Sequence, residues 1–98
     1  MPNRSYQKGY GFERRVRKMF EKEGYLVIRS SGSKFPDGVA LKGDKGHFMT
    51  DIIIWEAKVN KYLSKEEKEE AKKIFEKTGI HLKVYYRKGK KLREYDVQ

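Results

Sequence analysis

The stretch from about Phe48 to Val59 constrains the fold more than any other part of the chain. A period of two places Ile52, Ile54, Glu56 and Lys58 on one side of a strand and Ile53, Trp55, Ala57 and Val59 on the other. Apolar residues on both sides predict a central strand covered above and below, and so a layered domain in which helices pack on a sheet. The charged pair that ends one apolar side needs a physical reason, because burying an unpartnered carboxylate costs roughly several kcal/mol. A bound cation would supply that reason.

The neighbouring segments fit the same layered plan. From about Gln7 to Glu23, Phe12, Val16, Met19 and Phe20 recur at helical spacing, and Gly24 is placed to end the helix. Glu13 falls at the margin of that apolar stripe. Tyr25 to Ser30 reads as a short strand, and the small polar run from Ser30 to Lys34 as a loop. Val39 to Leu41 reads as a second strand, with Asp37 at its entrance and a turn over Lys42 to Gly46. Ser64 and Glu67 form an S-x-x-E capping box for a second helix over Lys65 to Thr78, with Gly79 as its stop and Ala71, Ile74 and Phe75 as its inner stripe. His81 to Tyr86 and a short last strand through Tyr95 complete the order, with a turn at Arg87 to Lys91. The expected fold is α/β, a mixed sheet of about five strands flanked by two helices, in one domain over residues 1–98.

Ninety-eight residues support one modest core that would benefit from a partner subunit. Lys and Arg number 24 against 14 Asp and Glu, and a net charge of +10 on so short a chain favours a polyanion, with nucleic acid the foremost candidate. The excess is uneven. Residues 1–35 carry nine basic and three acidic side chains, 36–58 three and four, and 59–98 twelve and seven. A slightly acidic centre between basic flanks is the pattern expected of a cation site surrounded by phosphate-binding surface. The absence of cysteine excludes a disulfide framework and thiolate metal sites, leaving oxygen ligands. The longest apolar run, Ile52 to Trp55, is too short to span a bilayer, and the opening Met1 to Arg4 starts no signal-peptide pattern; a cytoplasmic, DNA-associated protein is expected.

Pro36-Asp37 is followed, after a gap of eighteen residues, by Glu56-Ala57-Lys58. Carboxylates from neighbouring strands can converge on one Mg²⁺, with the Ala57 carbonyl, waters and a phosphate oxygen completing its shell. Glu13 could join directly or through water. Phosphodiester hydrolysis needs a positioned water and stabilised phosphoryl charge, which a divalent ion provides, and Lys58 can orient the water or neutralise developing charge. Mn²⁺ is an expected substitute. Other residues take plainer readings. Glu13 could pair with Arg17 one turn on, Asp51 reads as a solvated turn residue, His47 and His81 as ordinary polar residues, and Trp55 as packing. Glu66, Glu67, Glu69 and Glu70 read as a solvated helix face.

Gly11-Phe12-Glu13-Arg14 on an opening helix, Gly24-Tyr25-x-Val27-Ile28-Arg29-Ser30 followed by Gly32-Ser33-Lys34, Pro36-Asp37-x-Val39-Ala40, and Glu56-Ala57-Lys58 together resemble the archaeal-type Holliday junction resolvases of the PD-(D/E)xK nuclease superfamily, over about residues 6–80. The resemblance implies a restriction-endonuclease-like core and a homodimer that binds four-way DNA junctions and nicks two strands symmetrically with Mg²⁺. It gives catalytic places to Glu13, Asp37, Glu56 and Lys58, with an assisting serine at Ser31, and DNA-facing places to Arg14, Arg29 and Lys34; Lys8 and Lys61 are expected as further DNA-binding residues. Three departures stand out: the long gap between Asp37 and Glu56, Gly38 where a bulky residue is usual, and Glu67 where glutamine is common. A flap or repair nuclease of the same superfamily and a catalytically inactive DNA-binding module are the alternative readings.

Overall fold

The computed structural model describes the backbone over residues 4–32, 34–43 and 49–98, and side chains from residue 11 onward apart from 33 and 44–50. Its elements run α1 (Arg4–Lys22), β1 (Leu26–Arg29), β2 (Gly38–Gly43), β3 (Met49–Lys58), α2 (Lys65–Thr78), β4 (Lys83–Lys88) and β5 (Lys91–Asp96). The expected order holds throughout. α1 begins three residues before the apolar stripe that predicts it, and β4 reaches two residues beyond Tyr86 because its pairing with β5 continues to Lys88 opposite Lys91. The turn expected over Lys42 to Gly46 and the residue His47 lie largely outside the described residues.

The five strands form one sheet in chain order. β1, β2 and β3 run antiparallel, β3 and β4 are parallel and joined through α2, and β5 returns antiparallel on β4. The two-sided pattern of β3 is realised. Trp55, fully buried, meets Phe12, Val16 and Phe20 of α1 with Ala40 and Tyr85, and Ile53, Ala57 and Val59 pack on that cluster. On the opposite side Ile54 packs with Leu63, Ala71 of α2, Leu82 and Val84. Phe20 holds the first layer together, lying edge-on to Tyr25 and Tyr85 with ring centroids 5.5 and 5.2 Å away.

α2 has both the start and the stop that its sequence signals. Ser64 Oγ accepts from the Glu67 amide at 3.1 Å while Glu67 Oε1 accepts from the Ser64 amide at 2.8 Å, and Gly79 closes the helix in the left-handed region at φ 74°. Its inner stripe is narrower than expected. Ala71 is buried, but Phe75 is 41% exposed and stacks on His81 at 4.2 Å. His81 Nδ1 also lies 2.9 Å from the Val97 carbonyl, so it fastens the C-terminal segment.

Gly38 explains one of the sequence departures. A Cβ there would lie 2.2 Å from the Ile28 carbonyl oxygen and 3.1 Å from the Trp55 ring, so β1 and Trp55 close over this residue and no side chain fits. Gly38 thus sets how closely β2 approaches β1 immediately after Asp37. Gly38→Ala is expected to cost about 1–3 kcal/mol through overpacking, whereas Gly11→Ala, which meets nothing within 4 Å on a helix, should gain up to about 1 kcal/mol. Urea unfolding of the two variants should therefore shift in opposite directions.

Candidate active site

The backbone ladder between β2 and β3 stops at Gly38 opposite Trp55. One step further, where Asp37 would face Glu56, side chains take over from the main chain. The Asp37 amide donates to Glu56 Oε1 at 2.9 Å, and the Ala57 amide donates to Asp37 Oδ2 at 2.8 Å. Each carboxylate is thus held by the other strand's backbone, and the pair is wedged into the sheet end. Upstream, Ser30 ties the approach to Asp37: its amide donates to the Asp37 carbonyl at 2.8 Å and its hydroxyl to the Pro36 carbonyl at 2.6 Å.

Lys58 stands beside the pair. Its Nζ lies 3.4 Å from Glu56 Oε2 and 2.5 Å from Glu67 Oε2. Glu67 is therefore not part of a solvated helix face, as the charge run suggests. It uses one carboxylate oxygen to cap α2 and the other to hold Lys58. The sequence signal for this was present in the capping box, which already aims the Glu67 side chain back toward the start of the helix and hence toward the end of β3.

Burial and mutual repulsion set the electrostatics. Burial raises Asp37, the Ala57 amide offsets part of this, and Glu13 raises it further. Glu56 is raised from 4.5 to about 8, first by burial and then by the Asp37 charge, against the pull of Lys58. Burial disfavours the Lys58 ammonium, but the Glu67 hydrogen bond and the Glu56 and Glu67 charges outweigh it, leaving Lys58 raised and cationic. Burial likewise acts against the Glu67 carboxylate, and the bond from Lys58 overcomes it.

Of the other expected site residues, Glu13 approaches Asp37 closely enough to act on its charge, but its Oε1 accepts from Arg29 Nε at 2.8 Å and not from Arg17. Among the described residues no group of three or more His, Cys, Asp and Glu side chains could hold a metal ion. Asp37 and Glu56 are the pair that is brought together. Ser31 is exposed on the loop beside them, and Arg14, Arg29, Lys34 and Lys61 are exposed. The Lys8 side chain lies outside the described residues. Asp51 lies within β3 and accepts from the Tyr25 hydroxyl, far down the strand from Glu56.

The donor set suits a hard divalent cation. It is all oxygen, and Asp37 Oδ1 and Glu56 Oε2 are not taken by a backbone amide. A buried Glu56 and a half-buried Asp37, each raised by desolvation and by a neighbouring acid, are the arrangement a cation would relieve.

The archaeal Holliday junction resolvase (Hjc) family model matches residues 4–92. The chain belongs to this family. Over 66 residues it is 42% identical to the crossover junction endodeoxyribonuclease Hjc of Methanocaldococcus jannaschii, an alignment covering 63% of this chain and 45% of that relative. The chain thus spans under half the length of the curated relative it matches. The solved structure of Archaeoglobus fulgidus Hjc, a Holliday junction resolvase, superposes with a TM-score of 0.69 at 28% identity, covering 93% of this chain and 74% of that one. The mixed sheet between two helices is therefore the Hjc fold, an α/β nuclease core.

The electrostatics of the pair carry a stability consequence. A carboxyl raised on folding binds its proton more tightly in the folded chain, so its contribution is greatest below about pH 4.5 and is lost as pH rises toward about 8. In EDTA, Glu56→Gln is expected to melt a few degrees above wild type near pH 8, with the difference closing by about pH 5. Scanning calorimetry across that range measures it, and a variant less stable than wild type near pH 8 contradicts the assignment.

Proposed function

We propose that this chain is a structure-selective DNA endonuclease that resolves four-way junctions by Mg²⁺-dependent phosphodiester hydrolysis, working as a homodimer that places paired symmetric nicks. The observation that carries this reading is the interlocked Asp37 and Glu56 pair with cationic Lys58 beside it, in a chain of the Hjc family. Asp37 and Glu56 would hold Mg²⁺, or Mn²⁺ in its place, with the Ala57 carbonyl and, through water, Glu13 as further donors. The ion, when bound, supplies charge stabilisation at the phosphoryl oxygens and a more acidic water.

The remaining work falls to the chain's own residues. Lys58, held between Glu56 and Glu67, is an ammonium and acts as a donor, orienting water or offsetting the charge that develops on the phosphate. Water attacks phosphorus and gives up a proton to the medium, the bond from phosphorus to the leaving oxygen breaks, and that oxygen takes up a proton from the medium to leave as a hydroxyl. Glu13 fixes the Arg29 guanidinium at the edge of the site, where it can meet a phosphate of the bound strand. Arg14, Lys34, Lys61 and Lys8 extend that basic approach, and Ser31 assists from the loop.

The homodimer draws support from an apolar face that α2 does not cover. Register puts Leu26, Leu41 and Ile52 on one cross-strand row and Ile28 and Val39 on the next, which ends at Ile54 in the α2 cluster. Leu26, Ile28 and Ile52 are 64%, 51% and 39% exposed, and a contiguous surface of this kind favours burial against a second copy.

Asp37→Asn and Glu56→Gln are expected to abolish cleavage of a four-way junction in Mg²⁺ while junction binding in Ca²⁺ is kept or strengthened. Loss of binding in both would remove the pair from catalysis, and an intact junction bound by wild type in Mg²⁺ would make the chain a binding module. Leu26→Glu with Ile28→Glu should convert a dimer to a monomer in sedimentation equilibrium. A wild-type monomer that prefers flaps to junctions would instead support a flap nuclease.

A further inference from the structure

The β4–β5 hairpin carries a concentration of cations that the catalytic pair does not explain. Arg87, Lys88, Lys90, Lys91 and Arg93 fill five of the seven positions from 87 to 93 around Gly89, and all five are exposed. No ion pair involves any of them among the described residues. The nearby acids are engaged elsewhere: Lys83 lies 4.0 Å from Glu94 and 3.8 Å from Asp96, at the other end of the hairpin. Lys88 stands directly opposite Lys91, and like charges facing each other across a ladder are destabilising. An arrangement that costs stability in the free protein is explained if a polyanion lies across it.

The sheet places this charge beside the site. β3 and β4 are parallel, with Lys58 opposite Tyr86, so β4 runs on past the end of β3 by two residues, roughly 7 Å. Side-chain alternation then decides which face each cation takes. Val84 and Tyr95 pack on the α2 side, so their dyad neighbours Tyr86, Lys88, Arg93 and Lys91 share that side with Glu56 and Lys58. Lys58, Tyr86 and Arg93 make one cross-strand row, and Lys88 and Lys91 the next row outward. Two contacts fix the hairpin to its surroundings. Arg15 of α1 donates to the Lys90 carbonyl at 2.8 Å, and the Tyr95 hydroxyl donates to the Lys61 carbonyl, joining β5 to the loop that follows the site.

We propose that the β4–β5 hairpin is a second phosphate-binding element, in which Lys88, Lys91 and Arg93 grip the backbone of the duplex arm adjoining the scissile phosphate, on the opposite side of the site from Arg29. This inference rests on the nuclease reading for the position of the scissile phosphate, but the contact is to phosphate backbone and carries no base specificity. It makes the bound strand run across the sheet end, from β1 over Asp37 and Glu56 to the hairpin tip.

The test is the salt dependence of binding for the 98-residue chain in Ca²⁺, on a four-way junction and on a linear duplex of equal length. The triple variant Lys88→Ala, Lys91→Ala, Arg93→Ala should reduce the slope of log affinity against log salt by about 2 on both DNAs. Lys22→Ala, Lys72→Ala, Lys77→Ala removes the same charge from α1 and α2 and should leave the slope within about 0.5 of wild type. An unchanged slope in the hairpin variant, or an equal loss in the helix variant, overturns the proposal. If the hairpin slope falls while wild type shows no preference for the junction over the duplex, the hairpin contact stands and the junction reading fails.

Discussion

Everything at the site depends on two crossed hydrogen bonds where the β2–β3 ladder gives out. The Asp37 amide is bonded by the Glu56 carboxylate, and the Ala57 amide by the Asp37 carboxylate. In an ordinary antiparallel pair those amides would meet main-chain carbonyls. Replacing the carbonyls with carboxyl groups satisfies the same donors and inserts two ionisable acids between strands that are otherwise apolar. Hydrogen bonds to the charged form partly offset the cost of desolvation without cancelling it. The site is consequently rigid and electrostatically unfavourable at once, and both properties suit the capture of a small hard cation.

The fold supports that arrangement from three directions. Trp55 and the α1 cluster anchor β3 one residue before Glu56. Gly38 lets β1 close over β2 one residue after Asp37, so neither strand can slide to relieve the repulsion. On the far side, the cap of α2 delivers Glu67 to Lys58. Layer packing, a steric absence and a helix terminus each fix one of the charged groups. The cations of the β4–β5 hairpin then continue the surface along which a phosphate backbone would lie.

Much of this was legible in the sequence, because the strongest signals were periodic or covalently local. The alternation from Ile52 to Lys58 assigned each residue to the correct face, and Ser64, Glu67 and Gly79 marked both ends of α2. What periodicity could not supply was knowledge of which apolar face lacks a cover. Leu26 and Ile28 look like core residues, yet β1 is the edge of the sheet and α2 sits over its other half. Long-range partner choice was equally hidden. Glu13 had a plausible partner one helical turn away in Arg17 and takes Arg29 instead, and Glu67 looked like one acid among four. Both depend on how elements dock, which no local pattern encodes.

Glu67 illustrates how such docking restricts change. Its two oxygens serve different masters, one at a backbone amide and one at an ammonium. Glutamine has a single carbonyl oxygen and an amide group that can only donate, so it can meet one of those demands in this geometry and must leave the other. Aspartate is shorter by a methylene and would have to give up reach for charge. A helix that has its first turn secured by a residue of this kind cannot loosen without releasing the lysine, so local unfolding of α2 and the placement of the Lys58 ammonium become one equilibrium.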